Sequence, residues 1–161
     1  MKNDFNLNNM LCFQLAKAHQ LFNRFYKDPL SKFHLTYVQY VTLVALWNHN
    51  HVTVNQLSAA IGLNNGTLTP LLKRMQRNGW IQRKKDPRDK RRVIVSLTRT
   101  GADQQNQVVS STDRCMVNLN YKNDEYRKVM ATVKDIQKRL RYAIRVDHKR
   151  VIKNQKGDHN D

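Results

Sequence analysis

The sequence predicts a mainly α-helical domain carrying a small β-hairpin, and three observations lead there. Apolar residues recur every three or four positions through much of the chain, the spacing of one helix face. Two strand-like runs, residues 81–85 and 93–97, flank a short charged tip, as in a hairpin. Lys and Arg number 29 against 12 Asp and Glu, a formal charge of +17. So large an excess exceeds what solubility needs and marks an anionic partner.

Nucleic acid and an acidic membrane surface are the two candidate partners. The longest apolar run, residues 41–47, is broken by Thr42, and it falls far short of the roughly 18 residues that a span requires. The N-terminal MKNDFNLNN also lacks the charged-then-apolar order of a secretory signal. A cytoplasmic protein with no membrane partner is expected. At 161 residues the length suits one domain. Cys12 and Cys115 are too few for a disulfide scaffold and lack C-x-x-C spacing, and His49 and His51 sit two apart near a helix end, facing different ways. No metal, no cofactor and no enzymatic activity are expected.

The elements follow in order. Leu7, Leu11, Leu15, Ala18, Phe22 and Phe25 predict a first helix over residues 6–25, ending near Asp28-Pro29. Thr36 is the N-cap of a second helix that buries Tyr40, Leu43, Val44 and Trp47. Thr53 caps a short third helix through Val54, Leu57, Ala60 and Ile61, with Gly62 turning the chain out of it. A fourth starts near Asn64-Asn65 and runs through Leu68, Leu71, Leu72 and Met75; Pro70 is placed in its first turn, where a missing N–H costs nothing. After the two strands, in which Val93, Val95 and Leu97 share one face, Thr98 caps a fifth helix whose middle, residues 104–107, is polar. Asn123 caps the last helix, with Asp124 and Glu125 in its positive first turn and an apolar stripe from Tyr126 to Ile144. Residues 148–161 are polar and basic and are read as a disordered tail.

A short helix, a turn, a second helix and a basic hairpin make a winged helix-turn-helix, whose second helix enters the major groove of DNA. Asn65, Thr67 and Thr69 lie at the exposed start of that helix, within reach of base edges, and Lys73 and Arg74 are placed for phosphates. The same residue types also serve simply as caps, so each of the first three has a purely local alternative. Charge argues for the segment as a whole. Residues 73–92 hold ten Lys/Arg against Asp86 and Asp89, a net of +8, whereas a solvated face mixes its signs. In the tip, Arg88, Lys90 and Arg91 face the partner. Asp89, two residues before Arg91, can brace that guanidinium while its end projects toward a narrow minor groove. An incidental surface ion pair is the alternative.

The runs LTYVQYVTLVALW (residues 35–47), GTLTPLLKRM (66–75) and DPRDKRRVIVSLT (86–98) resemble the MarR family, and more narrowly its organic-hydroperoxide-sensing, OhrR-like branch. The likeness covers about residues 7–101. NMLCF (9–13) is similar to that branch's reactive-cysteine motif, which implies Cys12 as the peroxidatic residue, and Tyr26 and Tyr37 stand where the branch places two tyrosines that bond the thiolate. Near a helix start the macrodipole favours a thiolate, and a phenol O–H adds to it. In a continuous helix, fourteen residues put Cys12 and Tyr26 about 21 Å apart, so a shared site needs a second subunit and implies a homodimer. Some members carry a second cysteine at the distance of Cys115, which captures the sulfenic acid. Cys12 as a small packed hydrophobe and Cys115 as an inert helical thiol are the alternatives.

The resemblance implies a transcriptional repressor that binds a pseudopalindromic double-stranded operator and releases it when an organic hydroperoxide, or a small thiol after it, modifies Cys12. Residues 1–34 and 101–147 would form the dimerisation region around a DNA-binding region at 35–100, within one domain over 1–147. Departures are Asn64-Asn65 where the family usually has Asp-Ser, Val38 where proline is frequent, and a longer basic tail. A regulator answering a small aromatic ligand, a thiol peroxidase and a general basic RNA-binding protein are the other function classes; the wing and recognition helix speak against the last two.

Overall fold

Short polar side chains set the helix starts. In the computed structural model, which describes residues 6–157 apart from the side chains of Met116 and 148–157, Thr36 and Thr53 both form full capping boxes. Each threonine oxygen accepts from the backbone N–H of the glutamine three residues on, and that glutamine, Gln39 or Gln56, accepts from the threonine N–H in return. The chain divides into two compact units, Met1–Asn118 and Leu119–Asp161.

The first unit holds a 3-10 turn at Leu7–Asn9 followed by α1 (Leu11–Phe25), α2 (Lys27–Ser31), α3 (Tyr37–Asn48), β1 (Val52–Thr53), α4 (Val54–Ile61), α5 (Asn65–Arg77), β2 (Ile81–Lys85), β3 (Val93–Leu97), α6 (Arg99–Asp103) and α7 (Gln105–Asn118). The strands form an antiparallel sheet in the order β1-β3-β2, with Val52 opposite Val95 and Ile81 opposite Leu97. Two residues of β1 are too short to leave a period in the sequence. β3 is the central strand, and Ser96 is buried along with Val95 and Leu97, so the expected alternation is lost. Asn50 ties the sheet to the end of α3, its Oδ1 accepting from Leu97 N at 3.0 Å.

Leu43, Leu46, Leu57, Leu68, Leu72, Met75, Ile81 and Val95 are almost completely withdrawn from water and form the centre of the core. Each contributes roughly 1.5–3 kcal/mol of burial. In α3 the buried side is Gln39, Thr42, Leu43 and Leu46, while Tyr40, Val44 and Trp47 are half-buried, a rotation from the expected face. Trp47 reaches sideways instead, donating from Nε1 to the Gly101 carbonyl at 2.9 Å.

Several boundaries move for local reasons. The first helix does not run unbroken from residue 6: Asn6 caps the 3-10 turn, Met10 is extended (φ −89°, ψ 113°), and α1 begins at Leu11. Pro70 is the sixth residue of α5, beyond the first turn, so the N–H that would meet the Gly66 carbonyl is absent from inside the helix. The fifth helix breaks at Gln104, at the start of its polar stretch, into α6 and α7.

The second unit is α8, Asn123–Gly157. Its first residue is Asn123 itself, with Lys122 before it donating its N–H to Glu125 Oε2 at 3.0 Å. The backbone stays helical to Gly157, ten residues past Asp147; no proline or glycine interrupts residues 148–156. The tail expected to be disordered is thus helical as far as Gly157, and 158–161 lie outside the described residues. No helix among the described residues is long and apolar enough to cross a membrane.

Helices α1 and α8 each leave several apolar side chains in solvent. In α1 no residue is buried, and Leu11, Leu21 and Phe22 are exposed. In α8, Leu140, Tyr142, Ile144 and Val146 are exposed.

Gly101 has a close neighbour that bears on stability. A Cβ there would lie 2.1 Å from the Trp80 carbonyl oxygen, a backbone atom that cannot swing aside. Gly101→Ala should lower unfolding free energy by about 2–3 kcal/mol in urea titration, and a loss below about 0.5 kcal/mol would show that this contact is looser than described.

Candidate functional site

The site begins with how α5 is seated. Leu68, Leu71, Leu72 and Met75 are buried along one side, which leaves Asn65, Thr67, Thr69, Lys73, Arg74 and Arg77 exposed on the other. Asn64 caps the helix, its Oδ1 accepting from Thr67 N at 2.8 Å. Gly66 leaves room for that cap, since a Cβ would meet the same oxygen at 3.3 Å. Thr69 donates its hydroxyl to the Asn65 carbonyl at 2.8 Å, and Asn65 donates from Nδ2 to Asn55 Oδ1 at 2.8 Å. The helix start is therefore a polar, solvent-facing cluster with its side chains largely tied down.

Positive charge continues along the same face. Lys73, Arg74, Arg77 and Arg83 line a cleft of about 690 Å³ with Pro70 and Gln76, and among the described residues no carboxylate lines it. Arg83 reaches it from β2, its Nε donating to Gln76 Oε1 at 2.7 Å.

The hairpin tip between β2 and β3 is closed by two aspartates used in the same way. Asp86 Oδ1 accepts from Arg88 N at 2.9 Å, and Asp89 Oδ1 accepts from Arg91 N at 3.1 Å. Both are Asp side chains bonding the backbone two residues on, a turn-forming habit of the residue. Asp89 does more: Oδ1 also meets Arg91 Nε at 3.2 Å and Oδ2 meets Arg92 Nε at 3.4 Å. The Arg91 side chain is nonetheless 93% exposed, so its outer nitrogens stand in solvent. Arg88 and Lys90 are exposed beside it. Such an ion pair adds little stability in water; its effect is to aim a long side chain.

Sequence reasoning overlooked Arg77, Arg83 and Arg92, as well as the part played by Asp86. The repeated D-x-R spacing, Asp86 to Arg88 and Asp89 to Arg91, was a readable signal for the second brace. Arg83 carried none, since its partner Gln76 lies across a turn between helix and strand.

The thiols and phenols fall into two places. Cys12 is the second residue of α1 and is exposed, nearer the helix start than a helix begun at residue 6 would put it. Tyr26 and Tyr37 come together within one chain: Tyr26 is buried, with its ring centroid 5.1 Å from that of Tyr37 and 5.8 Å from that of Tyr40. Burial, and then the neighbouring Tyr40, push the Tyr37 phenol above its ordinary pKa. Tyr40 is an unforeseen member of this cluster. The full length of α1 separates it from Cys12, about 21 Å at 1.5 Å per residue. Cys115 is buried in α7 with its sulfur 3.9 Å from the Phe25 carbonyl, and burial pushes its thiol pKa up. It borders a cleft of about 870 Å³ lined also by Lys32, Phe33, Ser111 and Arg114.

Comparison with known proteins extends this geometry. Residues 35–93 match the MarR family. The chain is 43% identical over 105 residues to the organic hydroperoxide resistance transcriptional regulator of Bacillus subtilis, covering 63% of this chain and 71% of that protein. Reduced AbfR bound to DNA superposes with a TM-score of 0.79 at 33% identity, over 89% of this chain and 99% of the other. The disulfide-formed structure of AbfR, a Staphylococcus epidermidis protein, gives 0.61 at 35% identity, over 81% and 91%.

Cys12 is exposed, whereas Cys115 is buried with its thiol pKa pushed up. At pH 7.5, iodoacetamide should label Cys12 at least about tenfold faster than Cys115, because the thiolate is the nucleophile and a buried neutral thiol supplies little of it. Labelling of Cys115 should rise as pH increases, as read by peptide mass spectrometry. Equal rates at pH 7.5 would contradict the assignment of Cys115 as a protonated, packed side chain.

Proposed function

The chain belongs to the MarR family of DNA-binding transcription regulators, and from that premise we propose that it is a homodimeric repressor that releases its operator when an organic hydroperoxide oxidises Cys12. The observation that carries the DNA-binding half is the pairing of a polar, exposed α5 start with an arginine held outward on the hairpin by Asp89, 3.2 Å from its Nε. In this reading Asn65, Thr67 and Thr69 meet base edges, Lys73 and Arg74 meet phosphates, and Arg88, Lys90 and Arg91 reach the flanking minor groove. Two such heads occupy half-sites about 34–36 Å apart, one helical turn of DNA.

A dimer gives the exposed apolar side chains of α1 and of α8 a surface to cover them. It also brings a Cys12 within reach of the other subunit's phenols, which no single chain allows. The redox step balances simply. Attack of the Cys12 thiolate on the peroxide O–O bond gives the sulfenic acid and an alkoxide, which leaves as the alcohol after taking up a proton. The sulfenic acid then condenses with the Cys115 thiol of the other subunit, or with a small thiol, to a disulfide and water. Loss of the thiolate removes the acceptor for Tyr26 and Tyr37, and their rearrangement alters the spacing of the reading heads. Support comes from the B. subtilis relative, whose name concerns organic hydroperoxide resistance, and from AbfR, known in reduced and disulfide-formed states.

A second reading keeps the same DNA mode and makes the effector an aromatic acid, with no redox role for Cys12. The cleft bordered by Phe33, Lys32 and Arg114 favours it, since an aromatic ring and two cations suit such a ligand.

The Cys12→Ser variant separates them. Bound to operator DNA and treated with cumene hydroperoxide, it should stay bound under conditions that release the wild type, as followed by fluorescence anisotropy; release of the variant would remove Cys12 from the mechanism. For the wing, Arg91→Ala should lower the slope of log K against log salt by about 0.9 if one phosphate contact is lost. An unchanged slope would place Arg91 away from the backbone.

A further inference from the structure

Asn55 has no role in the reading so far, yet it holds a residue that does. It stands in the first turn of α4, while Asn65 is the first residue of α5. The two helices are joined by a three-residue turn that starts at Gly62 in the left-handed region, φ 70°. That turn brings the two asparagines together, and Asn65 Nδ2 donates to Asn55 Oδ1 at 2.8 Å. Both are exposed. They border one groove of about 480 Å³ that is also lined by Thr69 of α5 and by Arg91 and Arg92 of the hairpin.

From this juxtaposition we propose that Asn55 is a positioning residue that sets the base preference of Asn65. The proposal rests on the DNA-binding reading above and deepens it. An asparagine amide offers two N–H donors and one oxygen with two lone pairs. One N–H is spent on Asn55, which leaves the oxygen and the other N–H. A bidentate contact to adenine uses that combination: the oxygen accepts from N6–H and the N–H donates to N7. In this arrangement the bond directs Nδ2 of Asn65 toward Asn55 and leaves its oxygen for the duplex. An unrestrained Asn65 could rotate its amide by half a turn, setting its oxygen against N7 and its nitrogen against N6, which loses the match to adenine. With Asn55 as acceptor, the nitrogen is drawn toward α4 and the oxygen is turned outward. The Asn65 backbone is held as well, since its carbonyl accepts from Thr69. Asn55 thus acts on specificity without itself touching a base.

The test uses the full chain and selection of bound duplexes from a randomised pool, followed by competition binding at each operator position. Asn65→Ala should relax the preference for adenine at one position in each half-site. Asn55→Ala should relax that same position by about three- to tenfold, with the other positions and the melting temperature unchanged. Asn55→Asp keeps an acceptor oxygen at the same reach, so it should restore the preference at that position while weakening binding overall through its charge. A merely structural Asn55 would move affinity or melting temperature uniformly and would not single out one position. If Asn55→Ala keeps the full preference while Asn65→Ala loses it, this proposal is overturned and the DNA-binding reading stands. A wild type without preference at any position overturns both.

Discussion

Everything in the reading head depends on one face of α5 being fully withdrawn from water. Leu68, Leu72 and Met75 have no exposed surface, and three such side chains contribute roughly 5–8 kcal/mol of burial together. Rolling the helix to present another face would forfeit that energy. The polar and basic side is therefore outward because the apolar side has no alternative, and hydrogen bonds worth about 1 kcal/mol each only refine where individual side chains point. The caps at Thr36, Thr53 and Asn64 act one level lower, fixing where each helix starts and hence which residues stand at its tip.

The wing works by a different principle. It has few buried side chains, and its tip is held by aspartates bonded to their own turn. Isolated surface ion pairs are weak stabilisers, so the gain from Asp89 is one of direction: two arginines leave the tip with a defined heading. Those aspartates also lower the local charge by two, which a purely electrostatic patch would avoid. Their presence inside a stretch of net +8 is the mark of a surface shaped for a particular partner.

Much of this was legible in the residues. The capping threonines, Gly62, both strands of the hairpin and the apolar side of α5 all follow from local chemistry, because each depends on neighbours within a few positions. What escaped depends on distant chain. The strand β1 exists only because β3 lies beside it; the outer edge of the basic cleft depends on Arg83 folding back onto Gln76; the Tyr26–Tyr37–Tyr40 cluster depends on how α1 meets α3. Local chemistry puts Pro70 in the first turn, where a missing N–H costs nothing, whereas α5 accommodates it six residues in. The resemblance to the hydroperoxide-sensing branch pointed to Cys12, Tyr26 and Tyr37. Geometry adds that the two phenols share one cluster and that the exposed thiol is a helix-length away.

The central claim is that α5 and the wing grip one duplex in both grooves at a chosen sequence. Hydroxyl-radical footprinting of the reduced protein on a long duplex tests it most directly. Two protected half-sites one helical turn apart, each flanked by a protected minor groove, are the expected pattern. Uniform protection along the duplex, indifferent to sequence, would contradict it.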